Sequence, residues 1–332
     1  MGGCYNDRDY SSSCYEPPKQ VDNVENLVKS FFKTGNRPKL LEAYKQLILN
    51  GNSKKRFIRY LLDYAEIKEG INEFPGIEIE SKLEVILTPI SKKPESVVVL
   101  TDILDILEFP PVQGARFLMD ACNAESQGTN NFFGTDEEER FVVIEKGGKW
   151  YLKEKGQVQP YNFGIPGEEY VLRRPETRKE TNPLVVAQTL AEKYADGNVK
   201  FQGALNKIKA ESFLVNTVSG RLYSVVISCA SKNDKKKQWQ LEIEYAGYIP
   251  GFKQFEKGNE RNVVEDILYI DKSIVALYSD TILESGYKVS FIPTTESKFE
   301  FVSGKSSKQL ETRRTPLLLS APEELARVMA RK

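Results

Sequence analysis

Residues 77–85 read IEIESKLEV, and every second side chain of this stretch is charged. Successive side chains of a β-strand point to opposite faces of the sheet. Glu78, Glu80 and Lys82 would therefore share one face, and the intervening side chains, apolar except for Ser81, would form the other. Taken alone, the pattern predicts an amphipathic strand with one face in water.

A second stretch, residues 239–245 (WQLEIEY), repeats the pattern, with Glu242 and Glu244 on one face. The two stretches begin and end a β-rich region, and a closed barrel brings its first and last strands together. The four carboxylates would then meet and repel one another unless a divalent cation lies between them. Mg²⁺ and Mn²⁺ prefer oxygen ligands. The sequence therefore predicts a Mg²⁺ or Mn²⁺ site formed by Glu78, Glu80, Glu242 and Glu244.

The region between these stretches contains short β-rich runs separated by turn signals such as Gly147-Gly148 and Ser219-Gly220. Hairpin spacing of this kind indicates an antiparallel barrel or sandwich. Together with the helical segments on both sides, we predict an α+β fold, an eight-stranded antiparallel β-barrel with a charged tunnel inside and helices outside. The eight candidate strands are 77–88, 114–121, 139–146, 149–155, 168–175, 202–215, 220–229 and 239–248.

The chain divides into four predicted parts: a loose arm (1–20), a helical region (21–72), the barrel with its following helix (73–285) and a C-terminal extension (286–332). Apolar residues three and four apart predict three short helices in the second part. Further predicted elements are helical insertions at 101–109 and 183–195, a long helix at 263–283, a strand pair at 287–292 and 298–302, and a terminal helix at 323–331.

Composition excludes several classes of protein. The 332 residues include 47 Lys+Arg and 47 Asp+Glu, and a net charge of zero argues against a general nucleic-acid coat. The absence of histidine excludes Ser-His-Asp and Cys-His catalysis and His-ligated zinc or haem. None of the four cysteines forms a CxxC pair. A reduced, cytoplasmic setting is expected.

Membrane contact is expected only through the N-terminus. The sequence contains no run of 18 apolar residues, so no transmembrane helix is predicted. The opening residues Met1-Gly2-Gly3-Cys4 permit myristoylation at Gly2 and palmitoylation at Cys4, which together would anchor the chain to a membrane.

Basic residues complement the carboxylates on the strands in between. They alternate with apolar positions, as expected for a barrel whose interior is polar. A tunnel lined by lysine and arginine suits a polyanionic chain such as a triphosphate. The candidate phosphate-binding residues from this pattern are Lys149, Lys153, Lys155, Arg173, Arg174, Lys207, Lys209 and Arg221.

The chain resembles the CYTH, or triphosphate tunnel metalloenzyme, superfamily over about residues 73–250 and the helix that follows. The family carries ExExK on its first barrel strand, which here is the segment 78–82, and ExE on its last metal-binding strand, here Glu242 and Glu244. The segment 148–153 is similar to the family strand that ends in a substrate-binding lysine, here Lys153. The segment 172–174 is similar to the strand whose arginine contacts phosphate, and the pattern does not choose between its two arginines.

One departure concerns the RxR pair that many family members carry on the strand before that lysine. Here the strand spans 140–146, and Arg140 and Lys146 stand at a different spacing. We expect Arg140 and Lys146 to substitute for this pair in binding substrate.

The resemblance implies metal-dependent hydrolysis of a triphosphate group inside a basic tunnel. Expected substrates are inorganic triphosphate, nucleoside or thiamine triphosphate, polyphosphate, or the 5′-triphosphate end of RNA. Glu78, Glu80 and Lys82 are the predicted catalytic residues. The remaining basic residues would anchor phosphates, and the two terminal extensions would contact protein partners.

Three alternatives remain open at this point. An adenylate cyclase-type enzyme would use the same site with another nucleophile. A polyphosphate polymerase is less favoured, because no membrane segment is predicted to translocate the product. A non-catalytic phosphate-binding or structural subunit of a larger assembly is favoured by the missing RxR pair and by the extra helices.

Overall fold

The computed structural model describes residues 21–49, 57–90, 96–107, 115–120, 124–135, 139–193, 199–232 and 236–304. The acylation signal at Gly2 and Cys4, the N-terminal arm and the terminal helix predicted at 323–331 lie outside the described residues. Within the described helices, none has the length and apolar content that a membrane span requires.

Eight antiparallel strands form a closed barrel, as predicted. Around the barrel they run β1-β6-β5-β4-β3-β7-β8-β9, and β9 pairs with β1 to complete the circle. The barrel strands are β1 (Ile77–Pro89), β3 (Ala124–Gly134), β4 (Glu139–Lys146), β5 (Lys149–Lys155), β6 (Val171–Thr181), β7 (Lys200–Asn216), β8 (Arg221–Lys232) and β9 (Lys236–Tyr248).

Three short strands extend this sheet: β2 (Phe117–Met119), β10 (Thr281–Ile282) and β11 (Tyr287–Pro293). β2 pairs with β7, and β11 pairs with both β10 and β1. The first half of β1 therefore pairs with β6, its middle with β9 and its second half with β11.

Seven helices are present in the described residues, and they flank the barrel. They are α1 (Val21–Thr34), α2 (Arg37–Leu49), α3 (Phe57–Tyr64), α4 (Ser96–Ile106), α5 (Pro183–Lys193), α6 (Glu260–Tyr278) and α7 (Lys298–Ser303). α1 to α3 fall in the predicted helical region and form an apolar cluster with residues such as Leu222 and Phe252. They cover part of the outer surface of the barrel.

The apolar face of β1 points outward, into the largest hydrophobic core. Ile79 and Leu83 are almost fully buried there, together with Val263 and Ile267 of α6. Burial of these side chains from both elements stabilises the packing of α6 on the barrel. The charged face of β1 is consequently directed into the barrel, where Glu80 is only 3% exposed.

Two predicted strands were wrong. Of 114–121, only the three residues of β2 form a strand, and β3 (Ala124–Gly134) takes its place in the barrel. The segment 298–302 forms α7 rather than a strand. Its first turn is fixed by a capping box in which Ser297 and Glu300 each bond to the other's backbone N–H.

Candidate functional site

A cavity of about 470 Å³ occupies the interior of the barrel. Its lining is dominated by charged side chains from six of the eight barrel strands and from the segment that follows β11. The acidic members are Glu78, Glu80, Glu139, Glu176, Glu211, Glu242 and Glu244. The basic members are Lys82, Lys146, Lys153, Lys155, Arg174, Arg178, Lys207, Lys209 and Lys298.

The register between β1 and β9 brings the two acidic stretches together. Glu80 lies directly opposite Glu244, and Lys82 lies directly opposite Glu242. Directly opposed residues in an antiparallel pair have Cβ atoms roughly 5 Å apart, and like charges in such positions are destabilising. Closure of the barrel thus creates a contact between two carboxylates that no local feature of either strand requires.

Cations from β1 and β6 hold Glu78 and Glu80. The Arg174 Nε atom lies 2.5 Å from Glu78 Oε2, and its Nη2 lies 2.9 Å from Glu80 Oε1. The Lys82 Nζ atom lies 2.8 Å from the same Glu80 oxygen. Burial alone would raise the pKa of Glu78, but Lys155, Arg174 and other cations outweigh it and hold that pKa well below its usual range.

Glu242 has different cationic partners. Lys298, the first residue of α7, donates a hydrogen bond to its carboxylate, and the Lys207 Nζ atom lies 3.7 Å away. Desolvation would raise the pKa of Glu242, but these two lysines and Lys82 hold it well below its usual range. For Lys207 the balance is reversed, since burial lowers its pKa to about 7 despite the attraction of Glu242.

Among the four predicted metal ligands, Glu244 is the carboxylate whose negative charge is least balanced by neighbouring cations. Among the described residues, no lysine or arginine forms an ion pair or hydrogen bond with it. Burial and the neighbouring Glu78 carboxylate raise the pKa of Glu244 to about 8, although Lys153 opposes the change. A negative charge at this position is therefore disfavoured unless a further cation is supplied.

A second acidic group lies beside the first. The Lys153 Nζ atom lies 2.5 Å from Glu176 Oε1 and 3.6 Å from Glu78 Oε1. Within the described part of the chain, Glu139 Oε1 and Glu176 Oε2 are buried without a hydrogen-bond partner. Buried polar atoms without a partner destabilise a fold and call for an explanation such as an ion or a ligand.

The oxygen-rich donors fit a hard divalent cation, because Glu80 and Glu244 face each other and Glu244 lacks a cationic partner. No group of three or more Asp, Glu, Cys or His side chains in the described residues is already arranged as a ligand set. Arg174 and Lys82 instead neutralise Glu78 and Glu80. Metal binding would require these ion pairs to loosen.

Most of the predicted site residues line this cavity. They are Glu78, Glu80, Lys82, Lys153, Lys155, Arg174, Lys207, Lys209, Glu242 and Glu244. Of the two neighbouring arginines of β6, Arg173 and Arg174, only Arg174 lines the cavity. Arg173, the preceding residue in the strand, points to the opposite face, where its Nε atom lies 3.0 Å from Glu260.

Three further predicted phosphate ligands do not line the cavity. Lys149 pairs with Glu180 at the surface. The Arg221 guanidinium donates to the Glu256 carbonyl at 2.9 Å and lies over the Phe255 ring, outside the barrel. Arg140 is not among the cavity-lining residues. The pairing between β3 and β4 shifts by one residue beside it, and Glu139 takes the inward position. The structure therefore places these side chains, like that of Arg173, away from the cavity lining where they were expected, and their contact with substrate stays a prediction.

Sequence reasoning missed several cavity residues. β6 continues past Pro175 and adds Glu176 and Arg178, although a proline is usually found near the end or the edge of a strand. The other missed residues are Glu139, Glu211 and Lys298. For Lys298 the sequence carries a signal for its helix but not for its place at the cavity, since Ser297 and Glu300 have the capping-box spacing that marks the start of a helix.

No protein-family model matches the chain. No curated protein matches its sequence. Solved structures do match. The PH1819 protein from Pyrococcus horikoshii OT3 has a TM-score of 0.36 at 12% identity, covering 69% of this chain and 99% of that one. The S. pombe Pct1 RNA triphosphatase in complex with the Spt5 CTD has a TM-score of 0.28 at 13% identity, covering 67% and 91%. A second structure of Pct1 gives a TM-score of 0.27 at 13% identity, covering 67% and 90%. These are distant likenesses, and the closed barrel is assigned here from its strand pairing.

Proposed function

We propose that this protein hydrolyses a triphosphate group in a metal-dependent reaction inside the barrel, as a member of the CYTH or triphosphate tunnel metalloenzyme superfamily. The observation that carries the proposal is the β1–β9 register, which sets Glu80 against Glu244 and Lys82 against Glu242. A purely structural barrel gains nothing from opposing buried carboxylates, because like charges raise its free energy. A site that recruits a cation does gain from them.

Glu78, Glu80, Glu242 and Glu244 would hold one or two Mg²⁺ or Mn²⁺ ions. When bound, a divalent ion of this kind neutralises phosphate oxygens and activates water. The protein's own contribution is the arrangement of charge around the phosphate chain, which is the main catalytic factor in phosphoryl transfer.

The cavity cations would bind the phosphate oxygens. Lys82, Lys153 and Arg174 form ion pairs with carboxylates in this structure. On binding, the metal ion would take over the carboxylates, and the three basic side chains would pair with phosphate oxygens instead. Because Arg174 presents a planar fork of donors, it can contact two phosphate oxygens at once. Burial of these side chains strengthens each contact, since the interior screens charge less than water does.

The experiment is a measurement of phosphate release by the purified protein. The substrates are inorganic triphosphate, ATP, thiamine triphosphate and triphosphate-ended RNA, each with Mg²⁺, Mn²⁺ or EDTA. We expect release that requires the metal and that is lost in Glu80→Gln. Glu260→Gln, which alters an acidic residue outside the barrel, is the matched control and should retain activity.

A second candidate is a non-catalytic phosphate-binding module. It is favoured by the ion pairs that already neutralise Glu78 and Glu80. Tripolyphosphate binding without turnover of any substrate, and without cyclic nucleotide formation from ATP, would establish this candidate and exclude the hydrolase.

A further inference from the structure

The segment after β11 lies across one end of the tunnel. Ser297 and Lys298 line the cavity, and the three apolar residues that follow within α7 are buried. These three, with their partners on the barrel strands, form one apolar cluster: Phe299, Phe301, Val302, Phe132, Val142, Leu205 and Ala230. Because Phe132 and Val142 also line the cavity, α7 closes this end of the tunnel.

Hydrogen bonds fix the segment to three barrel strands. The Thr294 backbone N–H donates to the Lys82 carbonyl at 3.0 Å. The Gln240 side chain donates to the Glu296 carbonyl at 2.8 Å, and the Lys232 ammonium donates to the Val302 carbonyl at 2.6 Å. The segment is thus an integral wall of the cavity.

At the closed end, two lysine side chains approach the single carboxylate of Glu242. Lys298 contacts Glu242 and also lies 3.0 Å from Gln240 Oε1. Lys207 shares the same carboxylate. The Lys298 and Lys207 side chains are only 11% and 17% exposed. Two shielded lysine side chains share one carboxylate, so this end of the tunnel can accept further negative charge.

The opposite end differs in exposure. Lys146 and Arg178 line the cavity and are both exposed to solvent. Lys146 ends β4, whereas Val142, which packs with α7, lies in the first half of that strand. Among the described residues, these exposed side chains therefore mark the solvent-facing end of the tunnel. We call this end, at Lys146 and Arg178, the entrance, and the end covered by α7 the floor.

We propose that the closed end binds the free terminal phosphate of the substrate and that Lys298, supplied from outside the barrel, is the residue that selects for it. This inference rests on the proposed function in that the ligand is a phosphate chain. The chain enters past Lys146 and Arg178, terminal phosphate first, and a group attached to its other end stays at the entrance. A phosphate chain blocked at both ends does not fit.

Calorimetric binding to the full-length protein tests this with three probes in the presence and absence of Mg²⁺. Inorganic tripolyphosphate has two free ends, a nucleoside triphosphate has one and a dinucleoside triphosphate has none. We expect the first two to bind and the third to bind at least about tenfold more weakly, since it forfeits the contacts at the floor.

The variant Lys298→Met keeps the length of the side chain and its apolar contacts but removes the charge. We expect it to bind tripolyphosphate about tenfold more weakly. The control is Lys288→Met on β11, which removes a lysine whose partner, Asp280, is on the surface. Thermal unfolding of both variants checks that they fold. If Lys298→Met does not fold, the comparison of the three probes in the wild-type protein decides alone.

Equal affinity for the dinucleoside and nucleoside triphosphates overturns the inference, and so does a folded Lys298→Met variant that binds like its control. The two proposals fail separately. The expected binding pattern without any hydrolysis contradicts the proposed function and supports the closed-end site. Hydrolysis without that pattern does the reverse.

Discussion

Two sets of buried acidic groups in this molecule are stabilised in different ways. On the outside of the barrel, Asp266 of α6 accepts hydrogen bonds from Arg116, from Asn216 at 2.9 Å and from Tyr223 at 2.8 Å. Inside the barrel, Glu244 faces Glu80 and has no such donors among the described residues. The hydrogen bonds of the Asp266 carboxylate are satisfied, and they join several elements together. No cationic side chain in the described part of the chain pairs with the Glu244 carboxylate. The contrast separates a carboxylate whose hydrogen bonds join elements of the fold from one that folding leaves without a cationic partner among the described residues.

The largest expected effect comes from Glu244→Gln, because it removes one of the opposed carboxylates. We expect metal-dependent phosphate release to fall roughly 100- to 1,000-fold. The free energy of unfolding should stay the same or rise, because repulsion and desolvation of a charge are relieved. Steady-state kinetics and urea denaturation measure the two effects, and a variant with full activity would contradict the assigned role of Glu244.

Asp266→Ala should show the opposite behaviour. It leaves Arg116, Asn216 and Tyr223 without their shared acceptor, and we expect the protein to lose about 3 kcal/mol of stability. Under conditions where the variant remains folded, its turnover per folded molecule should match the wild type. A large loss of turnover at unchanged stability would place Asp266 in the active machinery instead.

Asp271 of α6 is a buried acidic group with a single side-chain hydrogen-bond donor in the described part of the chain, fewer than Asp266 has and more than Glu244 has. The Ser81 hydroxyl donates to it at 3.0 Å, and burial raises its pKa to about 7. A carboxyl whose pKa is raised by folding stabilises the protein below the unfolded pKa, and this contribution is lost as pH rises toward 7. Asp271→Asn should therefore be more stable than wild type above pH 7, by on the order of 1 to 3 kcal/mol. Below about pH 4 the difference should vanish. Thermal unfolding across this pH range measures it, and a constant difference would exclude the titration.

The smallest effect is expected for Arg173→Ala and Arg221→Ala, whose side chains bind Glu260 and the Glu256 carbonyl outside the tunnel. Phosphate release per folded molecule should remain within about twofold of wild type, since neither side chain lines the cavity. Arg174→Ala, one residue along the strand, should abolish most activity because it removes the partner of Glu78 and Glu80. Equal losses at Arg173 and Arg174 would show that the assignment of the two faces is wrong.

The alternating stretches that contain Glu80 and Glu244 were sufficient to predict the barrel and four of the seven glutamates that line its tunnel. They specify which side chains share a face, and closure of the sheet through β1 and β9 brings the two acidic faces together. β3 could not be found in this way. Its inward positions include Ser126, Gly128 and Asn130, which resemble a loop, and the strand is defined by its pairing with β4 and β7.

The position of Lys298 was beyond sequence patterning for another reason. Alternation in KFEFV suggests a strand, but the capping box at Ser297 and the left-handed C-cap at Gly304 specify one turn of helix. Which end of the barrel that turn covers depends on tertiary packing against Phe132 and Leu205. Local patterns carry no information about such a contact.

Closure of the barrel through β1 and β9 also has a consequence for how the protein is made. Contacts between residues far apart in the chain form slowly, because the entropy of the intervening loop must be lost first. A nascent chain that has emerged only as far as β8 carries Glu80 and Lys82 but not the strand that opposes them. Lys298 follows later still. The tunnel and its charge arrangement thus come into being together at the end of folding, and incompletely synthesised chains present no closed tunnel.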